Sequence, residues 1–437
     1  MFFHQFYLGC LAHASYLIGD GGECAIVDPQ RDVDQYLDAA RQRGLTIKYV
    51  VETHLHADFV SGHRELAARA GAEIVFGAAA RAEFPHRAVR DGDTLRVGGI
   101  ELRAMETPGH TPESVCWLVD GKKLLTGDTL FIGDVGRPDL GGSAEALYDS
   151  LQRLLALDDD VEVWPAHGAG SACGRNISSE TSSTIGMQRR TNYALRPMPR
   201  EEFVALISAD LSEPPPYFAR AAALNRRGPR ALDEIEARAL TPAEACGTGS
   251  QPVLFLDVRD SGAFAAGHLP GAVNIGLDGS YASWCGTLLS PNERIVVVAD
   301  SVAQSREAVM RLARVGMENI AGYLDGGVLA WTRAGYDVAQ MPQVSTQELS
   351  ETPLPVLDVR RPMEFAAGHV PGARNIPLSE LPRRMGEVDD APLAVICAGG
   401  YRSSAAASLL ARHGHAALRN VVGGTAAWIR DGFPVER

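Results

Sequence analysis

Short apolar runs alternate with amphipathic stretches along the N-terminal half of the chain, a pattern typical of mixed strands and helices. The runs Cys24–Val27 and Lys48–Val51 predict strands. Between them, apolar residues recur at helical spacing over about ten residues, and Gly44 is placed to end that helix at its C-cap. This order of elements predicts a strand, a helix and a second strand in the first 51 residues.

Further along, glycine-containing turns separate short strand-like runs. The turns Asp91-Gly92-Asp93, Gly98-Gly99 and Asp120-Gly121 predict hairpins. Four leucines at helical spacing between residues 147 and 155 predict another helix. Because the strands come in blocks with helices between them, we expect two sheets with helices on the outside.

The C-terminal half contains an internal repeat. Leu256-Asp257-Val258-Arg259 recurs as Leu357-Asp358-Val359-Arg360, and Gly267-His268 recurs as Gly368-His369. A period of about 100 residues indicates domain duplication, because solenoid repeats are far shorter. In each copy, strand runs alternate with helical patterns, which predicts a small α/β domain with a mainly parallel sheet. We therefore divide the chain into domains 1–237, 238–343 and 344–437; the last two are called the first and second repeat below.

Composition narrows the classes of function. The 437 residues are 46% hydrophobic and 22% charged, as in ordinary globular proteins. A net charge of −13 argues against nucleic-acid or anionic-membrane partners, which need a basic surface. No apolar run reaches ~18 residues and no basic start precedes an apolar stretch, so we expect neither a membrane span nor a signal peptide. Seven scattered cysteines fit reduced thiols in the cytoplasm.

Candidate metal ligands recur down the first 170 residues, each set following an apolar, strand-like run. Because strand ends at one edge of a sheet can converge on one ion, these four sets predict a metal site. Imidazole and carboxylate together suit zinc or ferrous iron rather than calcium or magnesium. The four sets are Thr53–Asp58, Gly109–Thr111, Thr126–Asp128 and Pro165–Gly168.

The order and spacing of these four sets resemble the metallo-β-lactamase fold. Over residues 1 to about 235 the resemblance implies an αββα sandwich with its metal at the sheet edges. Two-zinc members of that fold have a histidine directly after the aspartate of the His-x-His-x-Asp motif. Here Phe59 follows Asp58, so we expect a single metal ion.

The segment 126–139 narrows the resemblance to the persulfide dioxygenase branch of that fold. This resemblance implies one Fe(II) per chain, with three open coordination positions beside a two-histidine, one-carboxylate ligand set. Arg137 is a candidate clamp for an anionic substrate, with a structural salt bridge as the alternative. Cys173 could relay sulfur near the metal or be an inert buried thiol. The implied ligands are His54, His110 and Asp128, and the implied residues around them are His56, Asp58 and His167.

In the second repeat, an apolar strand runs into the six-residue loop Cys397–Arg402, and a helix follows. Backbone N–H groups of such a loop, with the helix N-terminus, stabilise an anion. The loop resembles that of the rhodanese domain, which implies that Cys397 carries sulfane sulfur and that Arg402 is a second catalytic residue. Aligning the repeats through their loop helices places Asp300 opposite Cys397. The first repeat is therefore expected to be an inactive rhodanese fold.

The whole domain order resembles the bacterial persulfide dioxygenase–sulfurtransferase fusions. That resemblance implies oxidation of a low-molecular-weight persulfide, such as glutathione persulfide, by O₂ to sulfite. It also implies sulfur transfer through Cys397 to or from thiosulfate, sulfite or a thiol. We expect a homo-oligomer that binds these small molecules. The alternative is a zinc-dependent thioester hydrolase of glyoxalase II type with an accessory sulfurtransferase domain.

Overall fold

The computed structural model describes residues 1–209, 211–235, 237–247 and 252–437. They form two compact units, which we call the N-terminal unit (Met1–Glu234 with Ala313–Gly316) and the C-terminal unit (Ile235–Leu312 with Met317–Arg437). Within the described ranges, no helix combines the length and the apolarity needed to cross a membrane.

The N-terminal unit contains two six-stranded mixed sheets. The strands of the first sheet are β1 (Phe2–Leu8), β2 (His13–Asp20), β3 (Glu23–Val27), β4 (Thr46–Val51), β5 (Glu73–Gly77) and β6 (Arg87–Val89); those of the second are β7 (Thr94–Val97), β8 (Ile100–Glu106), β9 (Val115–Val119), β10 (Lys123–Gly127), β11 (Glu162–Pro165) and β12 (Ser183–Thr184).

Helices cover the outer faces of both sheets. Three 3₁₀ turns (Ala78–Ala80, Tyr193–Leu195 and Leu232–Glu234) accompany them. The helices are α1 (Asp34–Gln42), α2 (His63–Ala70), α3 (Ala144–Leu154), α4 (Ile185–Thr191), α5 (Arg200–Ser208) and α6 (Phe218–Arg227).

Three apolar layers hold this unit together. Between the sheets, inward-facing residues such as Tyr16, Trp117 and Leu125 are almost fully buried. One outer layer packs α1 and α2 on the first sheet, and the other packs α3, α4 and α5 on the second. This is the αββα sandwich that the sequence predicts. Burial of a Leu- or Phe-sized side chain contributes about 1.5–3 kcal/mol, so each layer stabilises the fold substantially.

Two of the three predicted hairpin turns are confirmed. Gly98-Gly99 joins the antiparallel strands β7 and β8, and Asp120-Gly121 joins β9 and β10. The third prediction is wrong, because Asp91-Gly92-Asp93 connects β6 to β7, which lie in different sheets. A turn motif reports a reversal of the chain but does not specify that the flanking strands pair.

The C-terminal unit contains two five-stranded sheets of the same strand order, with every recorded pairing parallel. The first repeat comprises β13 (Ala239–Leu240), α7 (Pro242–Cys246), β14 (Val253–Asp257), α8 (Ser261–Ala266), β15 (Val273–Asn274), α9 (Tyr281–Leu288), β16 (Arg294–Val298), α10 (Val302–Ala313), β17 (Ile320–Leu324) and α11 (Gly327–Arg333).

The second repeat reproduces that order. It comprises β18 (Gln343–Val344), α12 (Thr346–Glu351), β19 (Val356–Asp358), α13 (Pro362–Ala366), β20 (Arg374–Asn375), α14 (Leu381–Arg384) with a 3₁₀ turn (Met385–Glu387), β21 (Leu393–Ile396), α15 (Tyr401–Arg412), β22 (Leu418–Val421) and α16 (Gly424–Arg430).

The duplicated Leu-Asp-Val-Arg motif forms a buried ion pair in each repeat. Nη2 of Arg259 lies 2.5 Å from Oδ2 of Asp257, and Nη2 of Arg360 lies 2.6 Å from Oδ2 of Asp358. Each arginine also donates to the carbonyl oxygen of the glycine that precedes the duplicated histidine. The motif therefore recurs because both repeats use the same internal brace.

Candidate metal centre and sulfur-transfer loop

Three side chains converge at one edge of the sandwich, on loops that follow β4, β8 and β10. Nε2 of His54 lies 3.7 Å, and Nε2 of His110 lies 3.4 Å, from Oδ2 of Asp128. All three atoms are buried and have no hydrogen-bond partner among the described residues. Buried polar atoms are almost always paired, so three of them facing one another fit a bound cation. Two imidazoles and a carboxylate are donors for Fe(II) or Zn(II).

Hydrogen bonds behind the two histidines set their orientation. Nδ1 of His54 lies 3.0 Å from Oγ1 of Thr53, whose hydroxyl donates to Oδ2 of Asp28 at 2.8 Å. Nδ1 of His110 lies 2.8 Å from the carbonyl oxygen of Arg137. Because each Nδ1 carries the proton in these contacts, each Nε2 presents a lone pair to the centre.

His167 lies behind Asp128 and bridges two carboxylates. Its Nδ1 is 2.7 Å from Oδ1 of Asp128 and its Nε2 is 2.8 Å from Oδ2 of Asp58. Burial lowers the pKa of His167, but the two carboxylates outweigh it and raise that pKa to about 10. His167, which is held in turn by Asp58, therefore orients the carboxylate of Asp128.

His56 turns away from the convergent atoms. Its Nε2 lies 3.1 Å from Oδ1 of Asp28 and 3.3 Å from Oε2 of Glu52. Burial acts to lower the pKa of His56, yet these carboxylates raise it well above its ordinary value. The Phe59 ring packs against the other side, with centroids 4.4 Å apart. His56 therefore holds the Asp28 carboxylate that braces Thr53.

Two buried residues beside the centre, His13 and Asp28, were not predicted from the sequence. His13 is fully buried, and neither ring nitrogen has a hydrogen-bond partner among the described residues. Its ring centroid lies 4.1 Å from that of Phe59 and 5.5 Å from that of His167. No motif marked His13, whereas Asp28 directly follows β3 and a search for strand-end carboxylates would have found it.

Cys173 and Arg137 also lie beside the centre. Ligand atoms of Asp58, His167 and Cys173 all lie within 4.8 Å of one another. Burial raises the pKa of the Cys173 thiol well above its ordinary value, with further increases from Asp58 and Asp128. Arg137 pairs with both carboxylate oxygens of Asp139 at 2.6 and 2.7 Å and donates to backbone oxygens of residues 172 and 212. Arg137 thus forms the salt bridge of the alternative prediction, and its role as a clamp for an anionic substrate stays a prediction.

The cysteine loop of the second repeat forms a cradle around one sulfur atom. The Gly400 N–H donates to Sγ of Cys397 at 3.1 Å, and the Ser403 hydroxyl donates to it at 3.4 Å. The Arg402 guanidinium forms a two-pronged pair with Glu364 at 2.7 and 2.8 Å. That pairing lowers the pKa of Glu364 to about 2. Arg402 lies in the first turn of α15, not in the loop before it, because that helix begins at Tyr401, and its guanidinium is anchored to α13 through Glu364.

The strand register corrects the prediction of which residue in the first repeat is equivalent to Cys397. Asp358 pairs with Ile396 in the second repeat, and the equivalent Asp257 pairs with Val298 in the first. Ala299, which follows Val298, is therefore the counterpart of Cys397, and the placement of Asp300 there is wrong. The loop before α10 is one residue shorter than the loop before α15, so the helix starts would put Val298 opposite Cys397 where the strands put Ala299, and neither alignment puts Asp300 there. The first repeat lacks a thiol at this position in either alignment.

Comparison with known families matches both parts of the chain. Residues 8–167 match the family described as Metallo-beta-lactamase superfamily. Residues 244–334 and 342–431 each match the Rhodanese-like domain. These matches cover the candidate metal centre, the first repeat and the cysteine loop.

Individual relatives point the same way. The Beta-lactamase hydrolase-like protein of Agrobacterium fabrum is 34% identical over 259 residues, which are 51% of this chain and 59% of that protein. The hydroxyacylglutathione hydrolase of Methylococcus capsulatus is 35% identical over 197 residues, 44% of this chain and 75% of that protein. A crystal structure of a metallo-beta-lactamase from Staphylococcus aureus is 33% identical with a TM-score of 0.67, covering 74% of this chain and 98% of that one. The chain spans 50 to 59% of the length of the first relatives of the hydrolase-like kind.

Proposed function

Because the chain belongs to the metallo-beta-lactamase superfamily and carries two rhodanese-like domains, we propose that it oxidises a low-molecular-weight persulfide and also transfers sulfane sulfur. In the first reaction a persulfide, O₂ and water give the free thiol, sulfite and two protons. In the second, sulfur passes through Cys397.

The observation that supports the first reaction is the donor set of the metal centre. Among the described residues, two imidazole nitrogens and one carboxylate oxygen face one another without partners. This donor set is typical of mononuclear Fe(II) oxygenases. His56 is engaged by Asp28 and Glu52, and Phe59 stands where a two-metal site has a histidine. Both features favour one Fe(II) per chain.

Bound Fe(II), held by His54, His110 and Asp128, would supply redox chemistry with O₂ and a Lewis-acid site for an anionic persulfide sulfur. Neighbouring residues of the protein orient the atoms that would bind the metal. His167 occupies Oδ1 of Asp128 and leaves Oδ2 for the metal. Thr53 and the Arg137 carbonyl keep the two imidazoles in their ligating tautomer. Burial of the whole set excludes bulk water, which would compete with substrate.

Sulfur transfer uses the second cradle. The Cys397 thiolate attacks the outer sulfur of thiosulfate or of a persulfide, and sulfite or the thiol leaves. Cys397 then carries the sulfur as a persulfide until an acceptor, either sulfite or a thiol, attacks it. The Gly400 N–H and the N-terminus of α15 stabilise the sulfur anion in both steps. Coupling of the two reactions would yield thiosulfate from two persulfides.

A zinc-dependent thioester hydrolase is the second candidate for the N-terminal domain. It is favoured by the relatives named hydroxyacylglutathione hydrolase. It is also favoured by the Asp58, His167 and Cys173 atoms, which form another metal-sized group beside the first. A two-zinc centre would use both groups.

Metal analysis combined with two assays separates the candidates. The protein is purified without air, its metals are quantified, and it is assayed with glutathione persulfide in an oxygen electrode and with a hydroxyacyl thioester of glutathione. About one iron per chain with O₂ uptake supports the dioxygenase. Two zinc ions per chain, thioester hydrolysis and no O₂ uptake after anaerobic Fe(II) loading would overturn it.

A further inference from the structure

The cysteine loop of the second repeat rests on the first repeat through Tyr401. Tyr401 is the first residue of α15, and its hydroxyl donates to the carbonyl oxygen of Gly276 at 2.8 Å. Its ring lies directly over Gly279, where an added Cβ would come within 2.5 Å of a ring carbon. Because Gly279 has no side chain, the Tyr401 ring can pack directly against its backbone.

The next turns of α15 are tied to the same surface. The Ser404 hydroxyl donates to Oδ1 of Asn274 at 2.6 Å, and the Asn274 N–H donates to Oγ of Ser408 at 2.9 Å. All of these contacts are buried or partly buried, where a hydrogen bond contributes about 1 kcal/mol and an unpaired group costs more. The first repeat therefore fixes where α15 begins and how it is oriented.

The start of α15 determines the geometry of the sulfur cradle. Gly400, which donates to Sγ of Cys397, directly precedes Tyr401, and Arg402 directly follows it. Ser403, the other donor to Sγ, lies on the same turn. A shift of Tyr401 therefore moves both donors relative to the sulfur.

A cavity beside the loop has walls from both repeats. It has a volume of about 670 Å³ and reaches the loop at Gly399 and Gly400. Ser261 and Gly262 of the first repeat line it together with Asn420 of the second. The first repeat thus contributes to the surroundings of the loop as well as to its support.

We propose that the sulfurtransferase site is a composite of the two repeats, in which the first repeat, inactive by itself, positions the cysteine loop through Tyr401. Tyr401 is a positioning residue that acts through Gly400 and Ser403 on the Cys397 sulfur. This inference rests on the sulfur transfer proposed above for Cys397, and it assigns the first repeat a direct part in that reaction.

A double-mutant cycle tests the proposal in the full-length protein. Gly279→Ala inserts a methyl group under the ring, Tyr401→Ala removes the ring, and the third variant combines both. Gly386→Ala is the matched control, because a Cβ there meets nothing within 4 Å. The readouts are kcat and KM for sulfur transfer from thiosulfate to cyanide, and the pH dependence of Cys397 alkylation followed by peptide mass spectrometry.

Misplacement of a reacting group by about 1 Å costs up to about 100-fold in rate, so we expect Gly279→Ala to lower kcat roughly ten-fold or more. KM should change little, and the midpoint of Cys397 alkylation should move to higher pH. In the Tyr401→Ala background, Gly279→Ala should have no further effect, because the ring that it displaces is gone.

Three results would contradict the proposal: wild-type kcat in both single variants, equal losses from Gly279→Ala with and without Tyr401, or an unmoved alkylation profile. If instead Cys397→Ser retained full transfer, the proposed sulfurtransferase function itself would fail. The two failures are therefore distinguishable. Far-UV circular dichroism and thermal unfolding of each variant show whether a loss of activity comes from misfolding. If it does, the Tyr401→Phe variant, which keeps the ring and lacks the hydroxyl, provides the kinetic test. We expect a smaller loss of kcat in that variant.

Discussion

Nδ1 of His110 donates to the backbone carbonyl oxygen of Arg137 at 2.8 Å. The contact leaves Nε2 of His110 as an acceptor 3.4 Å from Oδ2 of Asp128. A buried imidazole held in this tautomer is a prepared metal ligand. The chain also approaches closely at the neighbouring Gly136, where an added Cβ would clash with the carbonyl oxygen of Asp128 and lie 3.0 Å from Nδ1 of His110.

His110→Ala should abolish O₂ uptake with glutathione persulfide and reduce the bound metal well below one equivalent. Thiosulfate sulfurtransfer should persist, because Cys397 lies in the other unit. Metal analysis and an oxygen electrode measure the first effect, and a thiosulfate–cyanide assay measures the second. His4→Ala, at an exposed position, is the control. Loss of both activities in a folded His110 variant would show that the site assignment is wrong.

Thr53→Val should lower metal affinity roughly 10- to 100-fold, the usual cost of removing a group that orients a ligand. The substitution keeps the shape of the side chain but removes the hydroxyl between Asp28 and His54. Competition with a chelator measures the affinity. Thr53→Ser retains the hydroxyl and should bind metal like the wild type. Equal affinities for the Val and Ser variants would refute a role for this hydrogen-bond chain.

His13→Leu should make the protein more stable but less active with a persulfide. A buried polar group without a protein partner costs about 1–3 kcal/mol, so an apolar replacement should raise the free energy of unfolding by about 1 kcal/mol. Persulfide turnover should fall, since the His13 ring lies between Phe59 and His167 at the centre. Urea unfolding of the metal-free protein and O₂ uptake of the loaded protein are the two measurements. Unchanged turnover would mean that His13 only fills space.

Cys397→Ser should abolish sulfur transfer and leave O₂ uptake intact. Asp300→Ala should change neither activity, because Ala299 and not Asp300 is the counterpart of Cys397. Steady-state assays of both activities on each variant check the prediction. A large loss of transfer in the Asp300 variant would contradict the view that the first repeat has no nucleophile of its own.

The Glu364–Arg402 pair predicts that the stability of the protein depends on pH. Its hydrogen bonds lower the pKa of Glu364 from 4.5 to about 2. A carboxyl whose pKa is lowered on folding contributes stability above its unfolded pKa and loses it as pH falls through its folded pKa. The stability difference between the wild type and Glu364→Gln should therefore be constant from pH 5 upward and shrink between about pH 4.5 and 2. Thermal unfolding of both proteins across this range measures it, and a difference that grew on acidification would exclude the pair as its source.

Much of the fold follows from local patterns. Strand-end motifs such as Gly109-His110 and Thr126-Gly127-Asp128 indicated which loops meet at the sheet edge, because a strand fixes where its end residue projects. The motif around Asp257 and Asp358 revealed the two repeats, because a buried ion pair needs the same neighbouring residues in both copies.

The rest depends on contacts between distant segments. The local sequence does not show that His56 turns toward Asp28 as well as toward Glu52, because these two carboxylates follow different strands and meet only in the folded sheet. The sequence left open whether Arg137 forms a salt bridge, and its ion pair with Asp139 depends on how the loop folds. The one-residue difference before α10 was likewise hidden, because helix alignment and strand alignment disagree there.

That one-residue difference limits what a single substitution in the first repeat could restore. A thiol lost by substitution can return by a single reversal, but a shortened loop also lacks the backbone length needed to surround a sulfur anion. Ala299→Cys alone would therefore restore the atom without its surroundings. In the supporting role proposed above, the first repeat contributes the surface around Gly276 and Gly279 rather than a nucleophile of its own.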